Sequence, residues 1–259
     1  MNFNNYKSAP LSFNDPEVMQ SFINSLFRFF DKANLNPFVT EEWKKGLFQL
    51  FGVQTVNYPY LEKRNYILAS NHISDFDALI LGLLHPKIRI IAKIGWATNK
   101  ELMDFLKLHY DIVGIFRSSE IDRLSESESK AAKEHNFQVL RDISNYLKDT
   151  SEVHHLLIFP QGTISDINKN SKERVSPGFA KMANATKTDV IDIFTEYPEI
   201  DGSMRVVFGT PYPINNRHTE HSQAWLNNVI ALQNQLDNIR EPILSHKHAL
   251  NNNPDEPFF

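Results

Sequence analysis

The stretch YILASNHISDFDALILGLL, residues 66–84, changes from the pattern of a buried strand to that of a helix within a few residues. Its first five residues are apolar or small, whereas two acids, Asp75 and Asp77, stand at the start of the apolar residues that follow. Ser74, with Asp77 three residues later, matches the S-x-x-D form of a capping box, which marks the start of a helix. The stretch therefore predicts a strand, a short turn that holds His72, and a helix.

The same alternation continues along the chain and decides the fold class. The predicted strands are NYILAS, IRIIAK, DIVGIF, HHLLIF, DVIDIF and MRVVFG. The predicted helices cover residues 75–84, 99–108, 126–148 and 222–238, with one more that opens at Pro177. Strands that alternate with helices predict an α/β fold with a mixed, largely parallel sheet covered by helices on both faces.

Residues 1–60 are predicted to form an N-terminal helical appendage, followed by an α/β domain at 61–250 and a tail at 251–259. Within the appendage, apolar side chains recur at helical spacing: Val18, Met19, Phe22, Ile23, Leu26, Phe27, Phe29 and Phe30. Such a stripe either lies in the headgroup boundary of a membrane or packs on the protein's own core. The sequence leaves both interpretations open.

Composition excludes several classes of protein. The hydrophobic content of 41% and the charged content of 22% are those of a folded protein. A net charge of -4 argues against a nucleic-acid partner bound by a broad cationic face. The absence of cysteine excludes disulfides, thiolate metal sites and cysteine nucleophiles. No signal peptide is expected, because MNFNNYKSAPLSFNDP, residues 1–16, lacks a basic region followed by a continuous apolar one. No membrane-spanning helix is expected either, since the apolar stretch 78–97 is interrupted by Pro86 and three cations.

His72 allows two interpretations. It is either an ordinary loop residue beside a helix cap, or a general base whose tautomer a carboxylate fixes through the other ring nitrogen. Within a continuous helix, residues five positions apart diverge by about 140°, so His72 and Asp77 would not meet. They converge only if His72 lies in the turn before the helix. Because the Ser74 cap predicts that break, the two interpretations are compatible.

A second strand, in LLIFPQGTISD at residues 156–166, ends at a turn formed by Pro160, Gln161 and Gly162. Such a turn exposes backbone N–H groups at the carboxyl edge of the sheet, where open α/β sheets bind ligands. Taken alone, this turn is weak evidence for a site.

Together, NHISDFD and FPQGTIS resemble the glycerolipid acyltransferase family, which includes lysophosphatidic acid and glycerol-3-phosphate acyltransferases. That family carries a histidine and an aspartate separated by four residues, as His72 and Asp77 are. Its third motif usually reads Phe-Pro-Glu-Gly-Thr-Arg-Ser, which aligns without a gap on residues 159–165. GIFR, residues 114–117, resembles a family block that ends in arginine, and EIDR, which ends at Arg123, is a second, weaker match to that block. Lys93 resembles a basic residue between the first two blocks. The resemblance covers residues 65–214.

The resemblance implies transfer of a fatty acyl group from acyl-CoA or acyl carrier protein to a hydroxyl of a lysolipid or of glycerol 3-phosphate. His72 and Asp77 would be catalytic, and Arg117 and Lys93 would bind the acceptor's phosphate. Residues Pro160, Gln161, Gly162 and Thr163 would form the loop for the oxyanion and the acceptor. No metal or cofactor is expected. A cytoplasmic protein, peripheral at the inner face of a membrane, is expected because the acyl substrates are insoluble.

Two departures from the family pattern weaken the prediction of a phosphate-bearing acceptor. Gln161 stands in place of the usual glutamate, and Ile164 in place of the usual arginine. An arginine fork can hold a phosphate through two hydrogen bonds, whereas isoleucine cannot. Phosphate binding would then fall to Arg117 and Lys93, or to Lys172 and Arg174 of the adjacent loop, which are otherwise solvated loop charges. Glycerol 3-phosphate, a lysophospholipid or a lipid without that phosphate therefore remain as acceptors.

Two other functions remain as alternatives. A thioesterase or other hydrolase could use the same His–Asp pair to activate water, and an inactive relative could bind lipid without catalysis. A serine esterase is disfavoured because the chain has no G-x-S-x-G motif. A two-metal phosphatase is disfavoured because no further acid cluster accompanies Asp75 and Asp77 in the sequence.

Overall fold

The computed structural model of the chain describes residues 16–94, 100–162, 175–197, 203–214 and 221–236. Its helices are α1 (Pro16–Lys32), α2 (Thr40–Phe51), α3 (Asp75–Gly82), α4 (Lys100–Leu106), α5 (Ser118–Ile121), α6 (Glu126–Lys148), α7 (Gly178–Thr186) and α8 (221–236), with a 3-10 turn at Leu61–Lys63. Its strands are β1 (Gln54–Val56), β2 (Tyr66–Ser70), β3 (Ile88–Lys93), β4 (Asp111–Ile115), β5 (His155–Ile158), β6 (Asp189–Glu196) and β7 (Arg205–Phe208).

Within these residues, seven strands form one sheet in the order β1-β7-β6-β2-β5-β3-β4. Strands β6, β2, β5, β3 and β4 are all parallel to one another. At the other end of the sheet, β7 is antiparallel to β6 and pairs in parallel with β1. The prediction of a mixed, largely parallel α/β sheet is confirmed. β2 lies near the centre of the sheet, so the turn that follows it opens on the middle of the carboxyl edge.

Helices cover both faces of the sheet, as the sequence predicts. Successive side chains of a strand point to opposite faces, and β2 is buried at all five positions. On one face, Leu68 belongs to a core with side chains of α1 to α4; on the other, Ile67 belongs to a core with side chains of α6, α7 and α8. This two-sided burial fixes the end of β2, and with it the position of His72.

The N-terminal helices pack on the sheet. Leu26, Phe30, Trp43 and Phe51 are almost fully buried and share the core that contains Leu68. The ring of Phe30 stacks on Trp43 at 5.2 Å between centroids. The core interpretation of the α1 stripe therefore holds for Leu26 and Phe30. In the part of the chain that the structure describes, no helix is both long and apolar enough to cross a bilayer.

β1 is absent from the sequence prediction. It has three residues, lies before residue 61, and pairs with β7, so the first sixty residues contribute an edge strand as well as helices. The division of the chain at residue 60 stays a prediction. The tail at 251–259, residues 1–15 and the end of the last predicted helix lie outside the described residues.

Buried histidines line the amino edge of the sheet, at the opposite end of the strands from His72. The His155 side chain is fully buried at the start of β5, with the His85 ring 4.6 Å away and the Tyr66 ring stacked at 5.8 Å between centroids. Burial, followed by the charge interactions with His85 and His154, lowers the pKa of His155 from 6.5 to about 3. His155 is therefore neutral in the folded protein at ordinary pH.

This depressed pKa predicts that acid weakens the fold. Below pH 6.5 His155 is protonated in the unfolded chain but stays neutral in the folded protein. The free energy of unfolding therefore decreases as the pH falls from about 6.5 towards 3. Between about pH 7 and pH 5 the loss attributable to His155 is roughly 2 kcal/mol. Urea unfolding of the wild type and of His155→Phe at both pH values measures this loss of unfolding free energy. We expect the variant to lose about 2 kcal/mol less than the wild type, whereas His135→Phe, at an exposed position, should behave as the wild type does. An unchanged pH dependence in His155→Phe would contradict the prediction.

Candidate active site

His72 lies in the turn between β2 and α3, before the helix begins. Ser74 is the N-cap of α3, with extended backbone angles of φ -154 and ψ 151, and its hydroxyl accepts a hydrogen bond from the amide of Phe76 at 3.3 Å. The Asp77 carboxylate accepts a hydrogen bond from the amide of Ser74 at 2.9 Å, which completes the capping box. The predicted break in the helix is thus present, and it turns His72 towards Asp77.

His72 and Asp77 form a hydrogen-bonded pair. The Nδ1 atom of His72 lies 3.3 Å from Oδ2 of Asp77, whose side chain is fully buried, while the His72 side chain is 14% exposed. The same Oδ2 accepts the amides of Ile73 at 2.7 Å and Ser74 at 2.9 Å. One carboxylate therefore caps the helix and contacts the imidazole, so the geometry is compatible with a helix cap and with an oriented imidazole at once. The role of His72 as a general base stays a prediction. With Nδ1 facing the carboxylate, Nε2 is the nitrogen that is left to take a proton.

The turn after β5 contacts His72 directly. The Phe159 ring stacks on the imidazole with 4.1 Å between centroids and 24° between planes. The side-chain oxygen of Gln161 accepts the backbone N–H of His72 at 3.0 Å. A glutamate at position 161 could accept the same bond, so glutamine keeps this contact and removes a negative charge beside the histidine. The fold thus brings together the two sequence motifs around His72 and Gln161, although these residues are eighty-nine positions apart in the chain.

Gly162 closes this turn with a positive φ of 69°, a conformation that favours glycine. Its amide donates to the carbonyl oxygen of Phe159 at 2.9 Å, so that amide is engaged within the turn. Thr163, the other part of the predicted oxyanion loop, lies outside the described residues. The oxyanion role of Pro160, Gln161, Gly162 and Thr163 stays a prediction.

The two predicted phosphate ligands lie on the same edge of the sheet, farther from its centre. Lys93 ends β3 and Arg117 follows β4, whereas His72 follows β2, which is two strand positions, roughly 10 Å, from β3. The Lys93 ammonium lies 2.7 Å from the Glu120 carboxylate, which also accepts the backbone N–H of Arg117 at 3.0 Å. A phosphate that binds Lys93 has to compete with Glu120. Ile164, Lys172 and Arg174 lie outside the described residues.

Sequence reasoning missed Tyr197, whose hydroxyl donates to Oδ1 of Asp77 at 2.8 Å. Burial first, and then the negative charge of Asp77 and the hydrogen bond to it, raise the pKa of Tyr197 well above 10. The phenol is therefore a permanent donor at neutral pH. Its position directly after β6, a parallel neighbour of β2, is the one sequence signal that could have placed it at this edge.

Two further residues that were missed hold the ends of β2 and β6 together. The Asn71 side chain donates to the carbonyl oxygen of Thr195 at 2.9 Å and accepts the amide of Thr195 at 2.7 Å and its hydroxyl at 3.2 Å. Both residues are buried. These three hydrogen bonds, which we call the Asn71–Thr195 clamp, continue the pairing of two parallel strands up to the site.

No group of three or more His, Asp or Glu side chains within the described ranges has the arrangement of a metal site. The expectation that the protein works without a metal or cofactor stays a prediction.

A comparison with protein families agrees with these motifs. A family model described as Acyltransferase matches residues 52–195, more than half of the chain. Among solved structures, the chain is similar to the 1-acyl-sn-glycerophosphate (LPA) acyltransferase PlsC from Thermotoga maritima. The TM-score is 0.46 and the sequence identity 15%, over 92% of this chain and 88% of that one. No curated protein matches the sequence.

Proposed function

Because the chain belongs to the acyltransferase family, as its motifs predicted, we propose that it transfers a fatty acyl group from a thioester to a hydroxyl of a glycerolipid acceptor. The observation that carries this proposal is the pairing of His72 Nδ1 with the buried Asp77 carboxylate at the carboxyl edge of the sheet. It leaves Nε2 as a base for an acceptor hydroxyl. A hydroxyl is a weak nucleophile until a base removes its proton during attack.

The proposed reaction has two steps. Nε2 of His72 takes the proton of the acceptor hydroxyl while the oxygen attacks the thioester carbonyl carbon, which gives a tetrahedral oxyanion and an imidazolium. Asp77 stabilises this imidazolium through Nδ1. The intermediate then collapses: the carbon–sulfur bond breaks, the thiolate takes the proton from Nε2, and the ester and the free thiol leave. The enzyme forms no covalent bond to the acyl group and requires no metal or cofactor.

For the substrates, we propose a thioester of coenzyme A or of acyl carrier protein as donor, and glycerol 3-phosphate or a lysophospholipid as acceptor. Lys93 and Arg117, on the same sheet edge as His72, are the proposed phosphate ligands. Since Glu120 already pairs with Lys93, we expect a preference for an acceptor whose headgroup can displace that carboxylate. We further propose that the protein works peripherally at the inner face of a membrane, where such substrates are found.

An acceptor panel tests the proposal. Purified protein is incubated with acyl-CoA or with acyl carrier protein that carries a thioester-bound acyl group. Glycerol 3-phosphate, lysophosphatidic acid or a zwitterionic lysophospholipid is added in turn, and the release of free thiol is measured. We expect release that depends on an acceptor hydroxyl and that is absent with a fully acylated lipid, the matched control. Equal release without acceptor would indicate a hydrolase. No release with any donor and acceptor would indicate a lipid-binding protein without this activity.

A further inference from the structure

The two oxygens of the Asp77 carboxylate have very different neighbours. Oδ2 accepts the amides of Ile73 and Ser74 and faces His72, whereas Oδ1 accepts the hydroxyl of Tyr197. We propose that Tyr197 is a positioning residue for the proposed reaction: by fixing Oδ1, its hydroxyl sets the plane of the carboxylate and so holds Oδ2 against the imidazole of His72. This inference rests on the proposed function and adds a residue that acts through Asp77.

The contact between His72 and Asp77 is the one that a change of carboxylate plane would weaken. At 3.3 Å it is longer than the bonds of the same oxygen to the amides of Ile73 at 2.7 Å and Ser74 at 2.9 Å. Without Tyr197, Oδ1 would be a buried carboxylate oxygen that has lost its donor, which is costly. The carboxylate would then turn so that both oxygens share the two amides, and Oδ2 would move away from Nδ1.

Tyr197 is itself held in place relative to His72. Its ring meets the buried Phe51 ring at 6.3 Å and 64°, on the side of the sheet where the N-terminal helices pack. The Asn71–Thr195 clamp lies one residue before His72 and two residues before Tyr197, with contacts of 2.7 to 3.2 Å. The fold therefore fixes the distance between the phenol and the imidazole through a short, buried connection.

The phenol also has the right protonation state for this role. Because burial and the charge of Asp77 raise its pKa well above 10, Tyr197 keeps its proton throughout the pH range of an enzyme assay. It donates to Asp77 both before and after His72 becomes an imidazolium. A packing residue would need only the ring, so the role of the hydroxyl can be separated from that of the ring by Tyr197→Phe.

The first test compares Tyr197→Phe with Tyr58→Phe. Tyr58 is a matched control because its hydroxyl donates to the carbonyl oxygen of Leu84, outside the site, and its ring packs on Phe208. We expect kcat of Tyr197→Phe to fall about 10- to 100-fold with an unchanged KM for both substrates, by analogy with the loss when the hydrogen-bond partner that orients a metal-binding side chain is removed. The acid limb of kcat/KM should move to lower pH, because the imidazolium loses its carboxylate. Tyr58→Phe should match the wild type, and a Tyr197→Phe enzyme that also does so would overturn the inference.

The second test needs no activity. Proton NMR follows the titration of the His72 imidazole, whose signal among the ten histidines is the one absent from His72→Ala. The titration midpoint should move to lower pH in Tyr197→Phe, and the same substitution should have no further effect in an Asp77→Asn protein. An unmoved midpoint, or an equal shift in the Asp77→Asn background, would overturn the role of Tyr197. If the midpoint moves as expected but the wild type transfers no acyl group, the positioning contact stands and the proposed function fails.

Discussion

Replacing His72 with alanine is expected to lower kcat by about three orders of magnitude, within the range of roughly 10² to 10⁴ for a positioned general base. The variant retains substrate-binding groups but has no atom to take the acceptor's proton. The rate of acceptor-dependent thiol release, measured with saturating donor and acceptor, gives kcat directly.

The His72→Ala protein should remain folded, which makes the loss of rate interpretable. The backbone N–H of residue 72, which donates to Gln161, is kept, and the side chain is lost from a partly exposed stack on Phe159. Thermal unfolding and circular dichroism verify this. His135→Ala is the control, since this exposed imidazole contacts the carbonyl oxygen of Gly114. A folded His72→Ala enzyme with near wild-type kcat would show that the base is elsewhere.

The second large effect is expected for Asp77→Asn, with kcat lowered by about 10²- to 10⁴-fold, as for the orienting carboxylate of other histidine bases. Asparagine offers no negative charge to the imidazolium, and its NH2 group conflicts with the donors that now meet Asp77: two amides, His72 and Tyr197. Because Asp77 also completes the helix cap, we expect a loss of stability of about 1 kcal/mol as well.

Asp75→Asn is the matched control for this prediction. Asp75 is buried in the same first turn of α3, and its substitution makes the same change of charge and shape. We expect a much smaller loss of kcat than in Asp77→Asn, because the imidazole contacts Asp77 and the order of the two effects follows that contact. Steady-state rates of both variants, each corrected for the fraction of protein that is folded, decide which carboxylate orients His72. A larger loss in Asp75→Asn than in Asp77→Asn would reverse it.

The fold was predictable because its elements differ sharply in pattern. Apolar runs of five or six residues between amphipathic segments place β2 to β7, and Ser74 caps α3 as predicted. β1 was missed because three residues, QTV, carry no periodicity, and their pairing with β7 depends on residues about 150 positions away. The four-residue helix α5 was missed for the same lack of a local signal.

The candidate site was predictable where local sequence rules apply. The cap at Ser74 was enough to predict that His72 lies in the turn before the helix, where it can meet Asp77, because both are features of one strand–turn–helix unit. The four-residue gap that selects Asp77 came from the family resemblance. Tyr197 and Thr195 could not be found in this way, since they lie more than a hundred residues from their partners. Such contacts follow from the order of strands in the sheet, which no short motif encodes.

The fate of the acyl group tests the central claim most directly. In a single turnover, excess wild-type protein is mixed with acyl-labelled thioester and acceptor, and the label is followed with time among donor, protein, acceptor ester and free fatty acid. A histidine base that activates the acceptor hydroxyl predicts that the label passes from donor to acceptor ester without appearing on the protein or in free fatty acid. Label that accumulates on the protein, or that leaves as free fatty acid in the presence of acceptor, would contradict it.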